Sequence, residues 1–496
     1  MPVKIAVLSD THYCQSDEPV HPDRRSDVAD VLLLRAVHRI NRMIRPDATL
    51  VLGDLINDGD GPRAEEELRA LRDALGHLRS PCLVIPGNHD GDPEAFFRVF
   101  GPPPEWRDVG GVRFVPFVDP EEPGFNARRE PRDLERMARA RAGFEGPIVA
   151  FQHTPLFPPG ASDCPYNYTN ADDAIAAMKE AGIRLAIGGH YHPGMDLVRT
   201  DHASFVVNPA LCEFPFSFLE VTYDGETAEV VRRSLRMPED LELVDRHVHT
   251  PFAYCNENMD IAKTIRLARL FGLAGLGFSE HSDQLYFDRQ AEASGAYLET
   301  GIHNARPEDF RVEAYFNALA EAGCPPCCAG LELDSDFDGN AIVLPQDQAR
   351  AGFRIGAIHS LREFRNPQPD PARARDEFLR ILGRFLSTGI EILAHPFRVF
   401  RRGGMEAPRS LFGPVAKMLR EANIAAEINF HTNEPPPEFF KLCIEAGVSI
   451  SLGTDAHNLY EVGEFAPHLE LLRACGHDGD LRDVLLPPGE LRRCLE

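Results

Sequence analysis

The sequence predicts an α/β fold arranged as two successive domains. Short apolar runs alternate with helix-like segments along most of the 496 residues, and this alternation is typical of α/β proteins. The alternation breaks over residues 232–242, a polar stretch that contains a proline and has no clear strand pattern. It then starts again. We therefore expect a boundary near residue 240, with domains over residues 1–238 and 243–496.

Five apolar runs in the first half are predicted strands, at residues 5–8, 50–52, 83–85, 148–151 and 185–187. Apolar residues at helical spacing predict helices over 31–44 and 65–78. Metal-binding residue types follow every run: Asp10 and His12, Asp54, Asn88 and His89, His153, and His190 with His192. Because ligands bind at the carboxyl ends of strands in open α/β sheets, we expect these side chains to lie together.

Asp, Asn and His side chains suit divalent ions such as manganese, iron or zinc. The Asp54 carboxylate can bridge two ions, and a pair of ions is the arrangement that promotes in-line phosphoryl displacement. The first half therefore predicts a two-metal site.

The motifs Asp10-x-His12, Gly53-Asp54, Gly87-Asn88-His89-Asp90, His153 and Gly189-His190-x-His192 resemble those of calcineurin-like metallophosphoesterases over about residues 1–235. The resemblance implies an αββα sandwich of two sheets flanked by helices. It also implies that Asp10, His12 and His192 hold one ion, that Asn88, His153 and His190 hold the other, and that Asp54 bridges them. His89 would act beside the leaving oxygen, as a general acid or charge stabiliser.

The second half repeats this arrangement with other residues. Apolar runs at 273–278, 329–333, 355–358, 390–394, 425–428 and 448–452 are predicted strands, and nearly every motif follows one of them. The candidate ligands are His247, His249, His281, Glu332, His359, His395, Asp455 and His457. Gathering so many such groups without a metal would be costly, so we predict a second metal site at the rim of a parallel-strand barrel.

This second set resembles the polymerase and histidinol phosphatase (PHP) family over about residues 243–496. The resemblance implies a distorted (β/α)7 barrel that holds two or three ions of zinc, manganese or iron. His247, His249, Glu332 and Asp455 would hold one ion, Glu332, His359 and His395 a second, and His281 with His457 a third.

One position departs from the family pattern, because Cys255 stands where many members carry a histidine. A thiolate is a good ligand for zinc and a poor one for manganese. The third ion is therefore held by Cys255, held weakly by two histidines, or absent. We favour a site that is present but altered, with Glu257 as a nearby substitute.

Several other residues have two interpretations. Arg398 and Arg354 are candidates for binding a substrate phosphate, or they form solvated salt bridges. Asn429 and His431 are candidates for residues that contact the metal ligands without binding an ion themselves. Residues 167–170 are interpreted as a surface loop, with pocket lining as the alternative. The Cys324-x-x-Cys327 spacing and the adjacent Cys328 are interpreted as core packing.

Composition narrows the function classes. A formal net charge of -25 disfavours nucleic acid as a partner, and we expect a small phosphorylated substrate instead. Eleven scattered cysteines favour reduced thiols and a cytoplasmic protein, with no signal peptide and no membrane span. We expect a bifunctional hydrolase of phosphomonoesters or phosphodiesters. The alternatives are one active domain with a regulatory or binding partner domain, and a nuclease.

Overall fold

The structure is a computed structural model that describes residues 2–16, 19–477 and 479–496. These residues form two compact units, Met1–Leu235 and Arg236–Glu496. The break lies just before the boundary expected near residue 240. Both units are mixed α/β with parallel strands, which confirms the predicted fold class.

The first unit contains two main sheets. One has the order β13-β12-β1-β2-β3, and the other has the order β10-β11-β9-β8-β5-β4. In the first sheet β1, β2 and β3 run parallel, and β12 pairs antiparallel with both β1 and β13. In the second sheet the four central strands run parallel, and the two edge strands are antiparallel. The strands are β1 (Val3–Leu8), β2 (Ala48–Val51), β3 (Cys82–Val84), β4 (Arg107–Val109), β5 (Val112–Phe117), β6 (Glu121–Glu122), β7 (Asn126–Ala127), β8 (Ile148–Gln152), β9 (Ile183–Gly188), β10 (Met195–Arg199), β11 (Ser204–Val207), β12 (Ser217–Tyr223) and β13 (Ala228–Ser234).

Helices follow several of these strands. They are α1 (Ala29–Arg39), α2 (Ala64–Leu75), α3 (Pro93–Phe100), α4 (Pro131–Arg141) and α5 (Ala171–Ala181). The helix predicted over 31–44 is α1 followed by a π-helical turn at Ile40–Ile44, and the helix predicted over 65–78 is α2.

The two sheets of the first unit pack face to face across an apolar core. Alternate residues of each sheet, such as Ile5 and Val149, belong to this core. The intervening residue Ala150 belongs to a second core with Met137 of α4 and Met178 of α5. Because successive side chains on a strand point to opposite faces, this sheet is buried on both sides, as a layered sandwich requires.

The second unit is built on parallel strands. A six-stranded sheet has the order β16-β17-β18-β19-β20-β21, and β14 pairs with β15. A parallel bridge also joins Val248 to Ala456. The strands are β14 (Val244–Asp245), β15 (Gly275–Leu276), β16 (Phe278–His281), β17 (Ala329–Asp334), β18 (Arg354–Ala357), β19 (Ile392–Leu393), β20 (Ala425–Ile428) and β21 (Ile450–Leu452). The observed strand pairing defines these two sheets. Closure of the expected barrel stays a prediction.

Helices alternate with these strands. They are α6 (Ile261–Leu270), α7 (Ser282–Tyr286), α8 (Arg289–Ser294), α9 (Tyr297–Thr300), α10 (Val312–Glu321), α11 (Pro345–Arg350), α12 (Pro371–Phe385), α13 (Arg398–Arg402), α14 (Phe412–Ala422), α15 (Pro437–Ala446) and α16 (Ala466–Ala474). Within the described part of the chain, no helix has both the length and the apolar character needed to cross a membrane.

The stretch 232–242 is more structured than its sequence indicates. Its first three residues complete β13, which pairs antiparallel with β12 at the edge of a sheet. The expectation of no strand there was wrong for these residues. Side chains of β13 are mostly exposed or half-buried, so this edge strand lacks the apolar run by which the central strands were found.

Candidate metal centres

The predicted ligands of the first unit meet where its strands end, and several of them have unusual backbone angles. Asp10, His12, Asp54 and His190 have φ values of 55°, 45°, 51° and 65°. A left-handed backbone costs a residue other than glycine about 1–3 kcal/mol and persists where surrounding structure fixes it, often at functional sites. The turns after β1, β2 and β9 therefore hold these side chains in positions that ordinary loops would not adopt.

The Asp54 carboxylate lies between two groups of ligand atoms. Its Oδ2 is 3.5 Å from His12 Nε2 and 3.4 Å from His153 Nε2. On the His12 side, His192 Nε2 is 3.1 Å from His12 Nε2 and 3.7 Å from Asp10 Oδ1. One carboxylate oxygen thus faces both groups, which is the arrangement that a bridging ligand needs.

The second group centres on His153. Its Nε2 is 3.1 Å from Asn88 Oδ1 and 3.2 Å from His190 Nδ1. Its Nδ1 is bonded to the Leu52 carbonyl at 2.7 Å, which leaves Nε2 free to bind an ion. All seven predicted metal ligands of this unit therefore lie in two adjoining clusters around Asp54.

These residues fit a pair of divalent ions. Asp10 Oδ1 is fully buried and has no hydrogen-bond partner among the described residues, an arrangement that is costly without a cation. The groups Asp10–His12–His192 and Asp54–His153–His190 each bring their ligand atoms within 4.8 Å of one another. Oxygen and imidazole nitrogen together suit zinc, iron or manganese.

The electrostatics of this cluster also favour a cation. Burial opposes charge on His153, but the nearby Asp54 carboxylate outweighs it and raises the pKa of His153 to about 9. Burial likewise opposes charge on Asp54, yet the neighbouring histidines hold its pKa well below its usual range. The cluster therefore stabilises positive charge next to Asp54, which is what a bound metal supplies.

Glycine is required beside Asp54. A Cβ at residue 87 would lie 2.2 Å from Asp54 Oδ1 and 2.7 Å from His153 Cε1. A Cβ at residue 53 would lie 2.2 Å from the backbone nitrogen of Gly87, and Gly53 has a φ of +93°. The Gly53-Asp54 and Gly87-Asn88 motifs pass too close to each other for any side chain.

Glu213 is a supporting residue that sequence reasoning missed. Its Oε1 is 2.5 Å from His192 Nδ1, so it orients the ring whose Nε2 faces Asp10. Partial burial disfavours its charge, but the hydrogen bond to His192 and the charge of His192 lower the pKa of Glu213. It lies in a loop after β11 with no motif around it, so local sequence carried no signal.

In the second unit, one set of predicted ligands surrounds Glu332 Oε2. His247 Nε2 is 3.4 Å and His249 Nε2 is 3.6 Å from this oxygen. Asp455 Oδ1 completes the group, at 3.5 Å from His247 Nε2 and 2.9 Å from His249 Nε2. His247 Nε2 is buried and has no hydrogen-bond partner in the described chain. These four residues fit one metal ion.

The other carboxylate oxygen of Glu332 faces a second set. His359 Nε2 is 3.3 Å and His395 Nε2 is 3.0 Å from Glu332 Oε1. Burial opposes its charge, yet the surrounding histidines hold the pKa of Glu332 well below its usual range. Glu332 thus occupies the same bridging position here that Asp54 occupies in the first unit.

The predicted third group is present in part. His249, His281 and His457 bring ligand atoms within 4.8 Å of one another, and Cys255 Sγ is 3.7 Å from His281 Nε2. His281 Nδ1 lies 2.7 Å from Glu332 Oε2. Cys255 therefore lies beside this group. Glu257, in contrast, accepts a hydrogen bond from Asn458 at 2.8 Å.

Buried carboxylates hold the far side of the histidine rings. Glu427 Oε1 is 2.8 Å from His247 Nδ1, Glu280 Oε1 is 3.0 Å from His249 Nδ1, and Asp334 pairs with His359 Nδ1. Such partners fix ring orientation and raise ligand basicity. The sequence predicted no role for these acids, although Glu280 precedes the candidate His281, Asp334 lies two residues after Glu332, and Glu427 lies inside a predicted strand.

Arg398 lies at the centre of the second site. It is buried, it pairs with Asp455, and its Nη2 is 2.9 Å from His359 Nε2 and 2.6 Å from His395 Nε2. The structure does not bring Arg354 there. That residue begins β18, and its guanidinium bonds to Glu391 and, at 2.9 Å, to a backbone carbonyl.

Two further predictions concern residues around these ligands. Asn429 donates hydrogen bonds to Glu427 at 3.1 Å and to Asp455 at 3.2 Å. The His431 ring stacks on that of His457, with centroids 4.6 Å apart. Both residues therefore contact the ligand shell from outside, as the sequence predicted.

Residues 167–170 form a loop, as the sequence predicted, in which Tyr168 is buried and Thr169 is exposed. Asn167 bonds to the backbone of Phe157, and Asn170 bonds to the backbone of Arg129. The buried Tyr168 hydroxyl donates to Asp119 at 2.6 Å. The segment thus belongs to a buried polar network. The nearby Tyr166 ring, outside this segment, lies against the His190 ring, with centroids 4.7 Å apart.

Comparison with known families agrees with both sites. A family model described as calcineurin-like phosphoesterase matches residues 3–194, and a PHP domain model matches residues 245–431. This chain is a fusion of a calcineurin-like phosphoesterase domain and a PHP domain. These two matches confirm the predicted families. Its candidate ligand groups are those described above.

Similar proteins include two named as phosphodiesterases. A glycerophosphodiester phosphodiesterase from Enterobacter lignolyticus is 38% identical over 101 residues, which cover 20% of this chain and 33% of that protein. A probable cyclic nucleotide phosphodiesterase from Xenorhabdus bovienii is 23% identical over 201 residues, which cover 38% of this chain and 78% of that protein. The match thus spans a third of the length of the Enterobacter protein.

Solved structures with a similar fold include a dimetal phosphatase from Danio rerio. It is 16% identical with a TM-score of 0.41, over 47% of this chain and 97% of that one. A purple acid phosphatase from yellow lupin is 13% identical with a TM-score of 0.36, over 47% of this chain and 52% of that one.

Proposed function

We propose that the calcineurin-like domain hydrolyses phosphodiesters at the site centred on Asp54. The observation that carries this proposal is the position of Asp54 Oδ2, 3.5 Å from His12 Nε2 and 3.4 Å from His153 Nε2. Two divalent ions held by these groups would supply an activated water and would stabilise charge on the phosphoryl oxygens.

His89 is the proposed proton donor to the leaving oxygen. Its backbone N–H donates to Asp54 Oδ1 at 2.9 Å, which ties its position to the bridging carboxylate. Its Nδ1 lies 2.9 Å from the Asn57 carbonyl, which accepts a hydrogen bond from it. Nε2 is therefore the ring nitrogen that gains and releases a proton, as a general acid must.

The residues around this site suit a phosphodiester, in which the phosphate carries a second alcohol group. Asn88 is exposed and His89 is half-buried. Phe125, which is 55% exposed, lies with Tyr166 beside His190 and offers an apolar surface for an alcohol group. The phosphodiesterase names of the two relatives support the same substrate class.

Hydrolysis of bis(p-nitrophenyl) phosphate by the full chain tests this proposal. We expect His89→Gln to lower kcat by roughly 10²–10⁴-fold, the range for a lost general acid, and Asp54→Asn to remove most of the turnover because the bridging carboxylate is lost. Asp73→Asn, an exposed carboxylate on α2, is the matched control and should keep the parent rate. A parent-like rate for Asp54→Asn would refute the assignment.

We also propose that the PHP domain is a second active centre, which acts on phosphomonoesters. Its ligands are more deeply buried than those of the first site, and they lie around the buried cation of Arg398. An enclosed positive site favours a compact terminal phosphate over a substituted one, since guanidinium pairs well with phosphate oxygens. Together the two domains would open a diester and then release phosphate from the monoester formed.

A second candidate function for the PHP domain is phosphate binding without turnover. The close approach of Arg398 Nη2 to His359 Nε2 and His395 Nε2, at 2.9 and 2.6 Å, favours it. That cation competes with an ion for the same nitrogen atoms. Release of phosphate from p-nitrophenyl phosphate separates the two candidates. Turnover lost in Glu332→Gln and kept in the exposed control Glu421→Gln supports catalysis, whereas unchanged turnover supports binding alone.

A further inference from the structure

Four cysteine side chains of the PHP domain meet at one place, and none of them belongs to its candidate catalytic ligand groups. Cys324 follows α10, Cys327 and Cys328 lie in the 3-10 turn Pro326–Cys328, and Cys494 lies in the 3-10 turn Gly489–Cys494. Sequence analysis interpreted the first three as core packing. The fold adds a fourth thiol from a segment more than 160 residues away.

Two of the distances between the sulfur atoms equal the edge of a tetrahedral metal thiolate. Cys324 Sγ is 3.9 Å from Cys494 Sγ, and Cys327 Sγ is 3.8 Å from Cys328 Sγ. The Cys328 and Cys494 thiols also interact, which joins the two pairs. With a Zn–S bond of about 2.3 Å, the edge of a tetrahedron of four sulfurs is about 3.8 Å.

We propose that Cys324, Cys327, Cys328 and Cys494 form a structural zinc site. Four sulfur ligands with no open position are typical of structural zinc and differ from the nitrogen and oxygen ligands of the catalytic groups. Cys324, Cys328 and Cys494 are buried, whereas Cys327 is partly exposed and gives an ion access. The proposal does not depend on the activity of either domain.

Without an ion, these thiols contribute little to holding their segments together. Cys327 Sγ lies 3.5 Å from the Glu490 carbonyl and Cys328 Sγ lies 3.9 Å from the Leu491 carbonyl, and a thiol is a weak hydrogen-bond donor. A zinc ion would instead bond Gly489–Cys494 directly to the turn before β17. That strand carries Glu332, so the ion would brace a catalytic element from its opposite end.

The charge of such a site is partly balanced. A tetrathiolate zinc centre carries a net charge of about -2, because four thiolates surround one divalent ion. The Arg493 side chain interacts electrostatically with both Cys327 and Cys328, although burial raises the pKa of Cys327 and Glu490 pairs with the same arginine at 3.0 Å. A neighbouring cation favours thiolate over thiol, which is the form that binds metal.

Cobalt(II) titration of the metal-stripped, reduced full chain tests the proposal, because cobalt in a thiolate site gives intense sulfur-to-metal charge-transfer absorption. The titration is made in a Cys255→Ser background, since Cys255 is the thiol beside the His281 group. We expect the charge-transfer band in this background and its loss in Cys324→Ser and Cys494→Ser. The buried Cys443 provides the matched control, and Cys443→Ser should keep the band.

Three results would overturn the proposal. The first is no charge-transfer band in the Cys255→Ser parent, which is informative even where a further variant fails to fold. The second is a band that survives both Cys324→Ser and Cys494→Ser. The third is a Cys324–Cys494 disulfide found by peptide mapping of freshly purified protein.

Discussion

Carboxylates that lie outside the candidate ligand groups orient the histidine ligands of the PHP domain. Glu427 illustrates this: one oxygen lies 2.8 Å from His247 Nδ1, and the other accepts the backbone N–H of His395 at 3.0 Å. It therefore positions one ligand from each side of Glu332. Its space is confined too, because a Cβ at residue 453 would lie 2.0 Å from Glu427 Oε1.

Replacing Glu427 should weaken metal binding at this site alone. We expect Glu427→Gln to lower the metal affinity of the PHP site by about 10–100-fold, the range seen when such outer partners are removed. Competition of the full chain with a chromophoric chelator for zinc measures this. Glu421→Gln, an exposed change on α14, should bind as the parent does. Equal affinities for the two variants would contradict the role given to Glu427.

A methyl group at residue 87 should disable the calcineurin-like site. The added Cβ of Gly87→Ala would overlap Asp54 Oδ1 at 2.2 Å, so the bridging carboxylate must move. We expect loss of most diesterase activity and of about two bound ions in metal analysis. Gly413→Ala, whose Cβ meets nothing within 4 Å, should behave as the parent. Parent-like metal content in Gly87→Ala would show that the turn tolerates a side chain.

At the scale of elements, the sequence predicted the central strands because they are buried on both faces and read as continuous apolar runs. Each of the five runs in the first half coincides with a strand. Edge strands such as β13 have mostly exposed or half-buried side chains and were missed. Most candidate ligands were predictable because they lie at or just after strand ends, whereas Glu332 lies inside β17. Glu213 and Cys494 were not, because only the fold brings them to their partners.

The longest helix of the PHP domain, α12, gives a prediction at this scale. Its N-cap Asp370 accepts hydrogen bonds from the backbone N–H groups of Ala372 and Arg373, at 2.7 and 3.2 Å. We expect Asp370→Ala to destabilise the PHP unit by about 1 kcal/mol, measured as the urea unfolding of that unit. Asp376→Ala, on the exposed face of the same helix, should cost less than about 0.5 kcal/mol. Equal costs would mean that the cap is not used.

At the scale of the whole molecule, the two sets of candidate ligands come from different motifs but have the same arrangement. In each unit a single carboxylate, Asp54 or Glu332, lies between two histidine groups, and other side chains orient the outer ring nitrogens. The net charge of -25 is formal and leaves out the ions that such sites attract. We therefore expect two separate metal-dependent centres, each of which can be removed without the other.

Product analysis during hydrolysis of bis(p-nitrophenyl) phosphate by the full chain tests this most directly. The parent should release p-nitrophenol and then inorganic phosphate. Glu332→Gln should consume the diester at the parent rate and accumulate p-nitrophenyl phosphate. Asp54→Asn should leave the diester intact while still releasing phosphate from added p-nitrophenyl phosphate. If each variant kept every activity of the parent, two separate catalytic centres would be contradicted.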